Sequence, residues 1–283
     1  MRFAFKTSPQ NTTWAEMLSI WQTADPIDVF ESGWTFDHFY PIFSDPAGPC
    51  LEGWITLTAL AQATTRLRVG VLVTGIHYRH PAVLANMASA LDIVSNGRLE
   101  LGIGAGWNEE ESGAYGIELG TIKERFDRFE EACAVLTSLL SQETTDFDGK
   151  FYQLTKARNE PKGPQQPHPP ICIGGSGEKR TLKITAKYAQ HWNYVGGPPE
   201  EFARKRAVLA SHCADIGRDP NEIMLSAHLR LTEDRDYPKL MAEAAALDAE
   251  GLDLGIIYLP PPYDPRILEP LAEAIRDSGL SDG

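Results

Sequence analysis

Cysteine is scarce in this chain of 283 residues, and none of its cysteines forms a CxxC pair. Unpaired spacing provides neither a zinc-site pattern nor a disulfide framework, which favours a reducing compartment such as the cytoplasm. Each cysteine is therefore expected to be a small residue of the core. The four are Cys50, Cys133, Cys172 and Cys213.

Positive charge is scarce too, because 26 lysines and arginines face 39 acidic residues and the net charge is −13. This balance disfavours nucleic acid and anionic membrane surfaces as partners. No run of about 18 apolar residues occurs, so no membrane span is predicted. The N-terminal segment has neither the apolar core nor the cleavage pattern of a signal peptide, so a cytoplasmic location is expected.

The chain does have a regular alternation of short apolar runs and longer amphipathic segments, the pattern of repeated βα units. The strands predicted are Arg2–Lys6, Ser32–Phe36, Leu67–Val73, Leu99–Ile103, Ile171–Ile173, Trp192–Val195, Ile223–Leu231 and Leu254–Leu259. The helices predicted are Thr13–Thr23, Gly53–Thr64, Pro81–Val94, Ile122–Leu140, Glu178–Ala189, Pro199–Ile216, Tyr237–Glu250 and Pro265–Asp277. Eight strands, each followed by a helix, predict a (β/α)8 TIM barrel that forms one domain over residues 1–283. The proline-rich stretch Thr144–Pro170 is expected to be an irregular excursion over the barrel.

In such a barrel the chemistry lies on the loops that follow the strands. Unusual residues follow four of the predicted strands, whereas His228 and Arg230 lie within the seventh. The four groups are Asp37-His38, Thr74-Gly75, Gly104–Trp107 and Gly174–Gly177. Their convergence on one rim predicts a site there.

Two of these groups are rich in glycine. Gly174–Gly177 leads into a predicted helix that carries Lys179 and Arg180, which favours a phosphate cradle over a plain strand-to-helix turn. Gly102–Gly106 has the spacing GxGxG rather than the GxGxxG of a dinucleotide fold. It either lets a flat ring lie against the backbone or serves close packing at the barrel mouth.

Histidine supplies the acid/base candidate. His38 lies on a predicted loop among aromatic residues, which favours a catalytic role over the structural role that is usual for a lone histidine. His77 and His80 have no carboxylate or cysteine at ligand spacing, so no metal site is predicted. The run Glu109–Glu111 is interpreted as the solvated first turn of a helix.

The ordered set of motifs resembles the luciferase-like monooxygenase family, in particular its F420-dependent branch. It comprises WTFDHFYP (34–41), VGVLVTGIHYRHPAVLANMASALDIVSNGRLELGIGAGWNEEE (69–111), AYGI (114–117), RFDRFEEA (125–132), FDGKFYQL (147–154) and PPICIGGSGEKRTLKITAKYAQHWN (169–193). The resemblance implies a cofactor ring at the barrel mouth, His38 as the proton-transfer residue, a cis peptide at Leu72–Val73 and a homodimer.

The resemblance also implies a set of cofactor contacts. These are Asp37, Val73, Thr74, Gly106, Gly174, Gly175, Ser176, Gly177, Glu178 and Lys179. Cations suggested for the acidic tail of F420 are Arg79, Arg158, Lys162 and Arg180. The sequence Asp37-His38-Phe39 favours F420 over FMN, since relatives that use FMN often carry an EHH-like motif there.

Trp107 occupies the position where the sugar-phosphate dehydrogenases of the branch carry a glutamate, which argues against a sugar-phosphate substrate. Trp107, Gln10, Trp14 and the segment 144–170 are expected to shape the pocket for a small-molecule substrate. The resulting hypothesis is hydride transfer between F420 and a small organic molecule. The alternatives are an FMN-dependent monooxygenase supplied by a partner reductase and a barrel that binds a cofactor without turnover.

Overall fold

The computed structural model of the chain describes residues 1–42 and 44–282. Short apolar runs become buried strands there, and the amphipathic segments become helices. The strands are β1 (Arg2–Lys6), β2 (Phe30–Thr35), β3 (Arg68–Val71), β4 (Thr74–Gly75), β5 (Leu99–Gly104), β6 (Thr145–Asp148), β7 (Gln153–Ala157), β8 (Ile171–Gly174), β9 (His191–Tyr194), β10 (Met224–Arg230) and β11 (Leu254–Tyr258). The α-helices are α1 (Trp14–Ala24), α2 (Gly53–Ala63), α3 (Pro81–Val94), α4 (Glu109–Ala114), α5 (Ile122–Ser141), α6 (Thr181–Tyr188), α7 (Pro199–Asp215), α8 (Tyr237–Ala249) and α9 (Leu268–Asp277).

The large sheet closes on itself. Its parallel strands follow the order β3-β2-β1-β11-β10-β9-β8-β5, and β5 pairs back with β3 at Val69↔Leu99. The short β4 continues the third barrel position beyond the Leu72–Val73 peptide, which is cis as the resemblance implies. The predicted (β/α)8 barrel is confirmed.

Local chemistry fixes several helix starts. Thr13 and Glu16 form a reciprocal capping box at α1, and Thr121 with Glu124 forms another at α5. Pro81 is the first residue of α3, where its missing N–H has no cost. No helix in the described ranges combines the length and apolarity that a bilayer crossing requires.

The stretch 144–170 differs from the prediction. Residues 145–157 form the antiparallel β6–β7 hairpin, and the Glu131 carboxylate of α5 accepts the Lys150 and Phe151 N–H groups at 2.8 Å each. Gln165 then bonds to Asp92 at 2.6 Å and to the Leu99 carbonyl at the start of β5. Because α5 runs away from the mouth, the segment packs against α3 and α5, and the expectation of an irregular cover over the barrel was wrong.

Candidate active site

A cavity of about 500 Å³ opens at the carboxyl ends of the barrel strands. Residues at or just beyond the end of each barrel strand line it. They include Lys6, Phe36, His38, Leu72, Val73, Tyr78, Gly104, Gly106, Trp107, Gly174, Gly175, Thr181, Asn193, His228, Arg230 and Tyr258. Parallel strands in a barrel bring all these ends to one face, so the predicted rim is the wall of a real cavity.

One wall of the cavity is almost bare backbone. A Cβ atom added at Gly104 would lie 2.9 Å from the Val73 Cγ2 atom, and one at Gly174 would lie 3.0 Å from Val73 Cγ1. Gly106 has φ +84°, and a Cβ there would meet the His77 ring at 2.4 Å. The Val73 and His77 side chains fill the space beside these glycines, so a larger residue would not fit there. Close packing at the barrel mouth, the second of the two interpretations, therefore explains the glycine pattern, and the same backbone lines the cavity.

His38 faces the cavity beside this wall, and a buried carboxylate holds it. Its Nδ1 atom lies 2.7 Å from Glu111 Oε2, while the other carboxylate oxygen accepts the Phe39 N–H at 2.7 Å. The Tyr78 hydroxyl donates to Glu111 Oε2 as well. The rings of Phe36 and Tyr78 meet the imidazole edge-on, with centroids 5.2 and 6.3 Å away. Nδ1 is thereby fixed, and Nε2 is the nitrogen left to exchange a proton with a ligand.

The charge state of this network follows from its contacts. Burial opposes ionisation of Glu111, but hydrogen bonds from His38, Tyr78 and the Phe39 N–H outweigh it and lower the pKa of Glu111. Burial and the bond to Glu111 raise the pKa of Tyr78. Glu111 is therefore an anion at neutral pH, and Tyr78 is a neutral donor.

Sequence reasoning missed Glu111. The run Glu109–Glu111 was interpreted as a solvated helix turn, but the Glu111 side chain is fully buried. Asn108 caps α4 through its Oδ1 atom, which accepts the Glu111 N–H at 3.1 Å. The spacing resembles a capping box, but the Glu111 carboxylate bonds to His38, Tyr78 and the Phe39 N–H instead of the Asn108 N–H. No local signal in the sequence therefore marked its burial.

The glycine-rich segment after β8 has the features of an anion cradle. Gly175 adopts φ +123°, and its carbonyl accepts the Trp192 indole N–H at 2.8 Å. The buried Ser176 Oγ atom has no hydrogen-bond partner among the described residues. Thr181 opens α6 and lines the cavity. The helix begins three residues later than predicted, because residues 178–180 form a turn, and the Leu182 N–H closes that turn on the Gly177 carbonyl at 3.0 Å.

The opposite wall carries positive charge. Lys6 is buried at the end of β1, and its Nζ atom donates to the Leu72 carbonyl at 2.6 Å and to the Tyr258 hydroxyl at 2.7 Å. The Arg230 guanidinium lies over the Tyr258 ring, 5.5 Å from the ring centroid. Burial lowers the pKa of Lys6 to about 7, with a further contribution from Arg230. The sequence placed His228 inside its strand, but both it and Arg230 line the cavity.

Several predicted contacts do not line the cavity. Asp37 is buried and holds Arg79 in a bidentate ion pair. Thr74 Oγ1 accepts the Trp54 indole N–H at 2.8 Å. Glu178 pairs with Arg204 and Lys205 at 2.7 Å each, and Gly177 and Lys179 are exposed. These positions remain predictions as cofactor contacts.

The predicted substrate residues divide in the same way. Trp107 lines the cavity, and its ring centroid lies 6.1 Å from that of His38. Gln10 lies outside and holds the loop after β2 by bonding to the Tyr40 carbonyl and the Ile42 N–H. Trp14 is exposed at the start of α1, and no residue of 144–170 reaches the cavity.

The cations suggested for a cofactor tail are all paired. Arg79 pairs with Asp37, Arg158 with Glu143, Lys162 with Glu160 and Arg180 with Asp127. The two histidines of the HYRHP motif also have separate roles. His77 Nε2 lies 3.2 Å from Ser112 Oγ, and His80 caps α3 by accepting the Ala82 N–H.

Comparison with known proteins identifies the family. Residues 1–258 match the model of the luciferase-like monooxygenase family. The chain belongs to this family. The family predicted from the sequence motifs is confirmed. The named relatives include dehydrogenases and monooxygenases, which agrees with the predicted oxidoreductase class.

Three similar proteins illustrate the range. An F420-dependent hydroxymycolic acid dehydrogenase of Mycobacterium tuberculosis is 29% identical over 238 residues, 83% of this chain and 63% of that protein. A pyrimidine monooxygenase of Rhizobium rhizogenes is 31% identical over 181 residues, 62% of this chain and 48% of that protein. The solved structure of an F420-dependent secondary alcohol dehydrogenase with an F420–acetone adduct has a TM-score of 0.84, 18% identity and 98% coverage of both chains. The match to uncharacterized mycobacterial proteins spans about half of their length, 49%.

Proposed function

We propose that this protein is an F420-dependent oxidoreductase that exchanges hydride between the deazaflavin and a small organic substrate in the cavity. The observation that carries the proposal is the His38–Glu111 pair beside a wall of bare backbone. A planar ring fits that wall, and the imidazole nitrogen not held by Glu111 is available at its edge. The dehydrogenase relatives named above support F420, and the pyrimidine monooxygenase relative shows that the family also contains monooxygenases.

The residues fit such a cofactor. Val73, Gly104 and Gly174 line the part of the cavity proposed for its ring, and the unpartnered Ser176 Oγ, with Gly175 and the turn that follows, suits a phosphate. Bound F420 supplies hydride exchange at C5 of its deazaflavin ring. Every other part of the proposed reaction falls to the side chains of the cavity.

His38 manages the substrate proton in this proposal. Its Nε2 atom takes a proton from a substrate hydroxyl when the substrate is oxidised, or returns it to an oxygen when a carbonyl is reduced. Glu111 keeps the ring oriented and stabilises the charged imidazole, as a carboxylate does for a catalytic histidine elsewhere. Trp107, Phe36 and Leu72 keep water away from the reacting atoms.

Fluorescence titration with F420 tests the proposal directly. The wild-type protein should quench F420 fluorescence in a saturable way, and so should a His38→Gln variant, because the imidazole is not needed for the phosphate contacts. A variant at the cradle, Ser176→Val, should weaken binding, while the matched control Ser278→Val on the far side of the barrel should not. Absence of F420 binding by the wild type would overturn the proposal.

A second candidate is an FMN-dependent monooxygenase, favoured by the monooxygenase relative. The same cradle would accept the phosphate of FMN. Oxygen consumption with reduced FMN, but not with reduced F420, would support this candidate and would require a partner reductase. The homodimer and the cytoplasmic location expected from the sequence remain predictions, and light scattering on the purified protein tests the first.

A further inference from the structure

The wall of the cavity opposite the glycines contains cations that no carboxylate neutralises. The titratable groups beside Lys6 are Arg230 and the Cys172 thiol, whose pKa burial raises so that it stays neutral, and those beside His228 are Lys6 and Arg230. Neither Lys6 nor Arg230 forms an ion pair within residues 1–42 and 44–282, although the chain as a whole has a net charge of −13. A buried amine without a counter-ion is costly, so its retention beside an open cavity requires an explanation.

Tyr258 organises this cluster. Its hydroxyl accepts the Lys6 Nζ–H, its ring lies 4.5 Å from Lys6 Nζ and 5.5 Å from the Arg230 guanidinium, and His228 meets it edge-on at 4.8 Å. The donors of Lys6 and Arg230 therefore converge on one end of the cavity. Because the Tyr258 oxygen accepts from Lys6, its hydroxyl proton is available to a ligand.

A buried polar atom at this end, His228 Nε2, has no partner in the described part of the chain, and His228 lines the cavity and meets the Tyr258 ring. Buried polar atoms are almost always satisfied, so an unsatisfied one beside a cavity marks a place where a ligand or water completes the bonding. This atom is independent of the charge argument and points to the same location.

We infer that Lys6, Arg230 and Tyr258 form an oxyanion subsite that binds the carboxylate of a small organic acid, the substrate of the redox site. The inference rests on the proposed function only in calling this ligand the substrate. Two cations and one hydroxyl suit the two oxygens of a carboxylate, whose charge-assisted hydrogen bonds are the strong ones. Phe36 lies between the subsite and the proton-transfer group, with its ring 5.1 Å from Lys6 Nζ and 5.2 Å from the His38 ring.

The geometry also sets the shape of this acid. Its carboxylate lies at one end and its reacting carbon at the other, beside His38, with an apolar body against Phe36 and Leu72. A small aromatic or branched carboxylic acid meets that description. Benzoate is a suitable probe, and benzamide is its neutral counterpart of the same shape.

Calorimetric titration of the protein with benzoate and benzamide at pH 6, where Lys6 is protonated, tests the subsite, first without F420 and then at saturating F420. The wild type should bind benzoate at least about tenfold more tightly than benzamide. Lys6→Met and Arg230→Leu should each lose about tenfold in benzoate affinity and leave benzamide unchanged. Lys183→Met, an exposed lysine on α6, is the control and should match the wild type. If Lys6→Met fails to fold, Tyr258→Phe, which removes only the hydroxyl, replaces it.

Three outcomes decide the matter. Equal affinity for the two probes, or benzoate affinity unchanged in Lys6→Met and Arg230→Leu, overturns the subsite. Loss of benzoate binding at saturating F420 shows that the cofactor itself occupies these cations and also overturns it. A benzoate preference that depends on Lys6 in a protein that never binds F420 supports the subsite while the proposed cofactor fails.

Discussion

The barrel contains two buried histidine–glutamate pairs with almost identical bond lengths. At the mouth, His38 Nδ1 lies 2.7 Å from Glu111, and deeper in the barrel His191 Nδ1 lies 2.8 Å from Glu100. The deep pair is completed on both sides: His191 Nε2 lies 2.6 Å from Ser226 Oγ. The mouth pair leaves its second imidazole nitrogen to the cavity.

The difference shows what separates a structural histidine from a catalytic candidate. Burial and a carboxylate partner are common to both, so neither feature identifies the active residue. Arg68 also pairs with Glu100 at 2.8 Å, and although burial opposes it, these contacts lower the pKa of Glu100 to about 2. A hydrogen-bond network in which every polar atom has a partner stabilises the core. A network that leaves one imidazole nitrogen open to a cavity can exchange a proton with a ligand.

The largest effect should come from His38→Gln at the mouth. The amide cannot exchange a proton near neutral pH, so kcat should fall by about 10²–10⁴, the usual contribution of general acid–base catalysis. Turnover is measured with a substrate found by screening organic acids for F420 reduction. The F420 dissociation constant and the melting temperature should stay close to wild type. Equal turnover in the two proteins would remove His38 from the mechanism.

The deep pair should respond in the opposite manner. Glu100→Gln leaves His191 and Arg68 without their carboxylate in a closed interior, which typically costs about 3–5 kcal/mol of unfolding free energy. Urea unfolding at pH 7 measures the loss, with Glu111→Gln as the matched variant at the open mouth. A loss of unfolding free energy below about 1 kcal/mol would mean that the His191–Glu100 pair does not stabilise the core, and its contrast with the His38–Glu111 pair would fail.

The sequence predicts the barrel that carries the two histidine–glutamate pairs better than it predicts the pairs themselves. Alternation and turn residues located eight strands, because several are short apolar runs next to turn residues, such as Leu99–Gly104 after Asn96-Gly97 and Ile171–Gly174 after Pro169-Pro170. The hairpin 145–157 escaped because its strands are half-exposed and carry no apolar alternation. The helix α4 was predicted only as a first turn at Glu109–Glu111, because its six residues, half of them acidic, have no amphipathic period.

Site residues were predictable where backbone conformation dictates the residue type. Glycine is required at Gly106 and Gly175 by their positive φ angles, and such requirements are visible in the sequence. Glu111 and Lys6 were not predictable in this way, since a glutamate in a charged run and a lysine at a strand end are ordinarily solvated. Only the three-dimensional closure of the barrel buries them.

Glu111→Gln sharpens the comparison at the mouth itself. The amide keeps the size of the side chain but not the charge that stabilises a protonated imidazole, so kcat should fall, by about tenfold to a hundredfold, less than in His38→Gln. The F420 dissociation constant should not change, because the hydrogen bonds of the Glu111 carboxylate go to His38, Tyr78 and the Phe39 N–H. Steady-state kinetics beside fluorescence titration separates the two quantities. If both change together, Glu111 supports the fold of the loop rather than the proton transfer.

Lys6 is a third buried ionisable group, and it pairs with no carboxylate among the described residues. Its titration should change the unfolding free energy gradually with pH. The groups that face it are Cys172 on β8, His228 and Arg230 on β10 and Tyr258 on β11.

Because the pKa of Lys6 in the folded protein is about 7 rather than 10.5, the unfolded chain holds a proton between these pH values that the folded chain has released. Stability therefore rises with pH in this window. Relative to Lys6→Met, the unfolding free energy of the wild type should increase by about 1 kcal/mol per pH unit from pH 7 to 9 in urea titrations. Parallel curves for the two proteins would show that the amine remains charged inside the barrel, and a counter-ion would then have to be sought in the cavity.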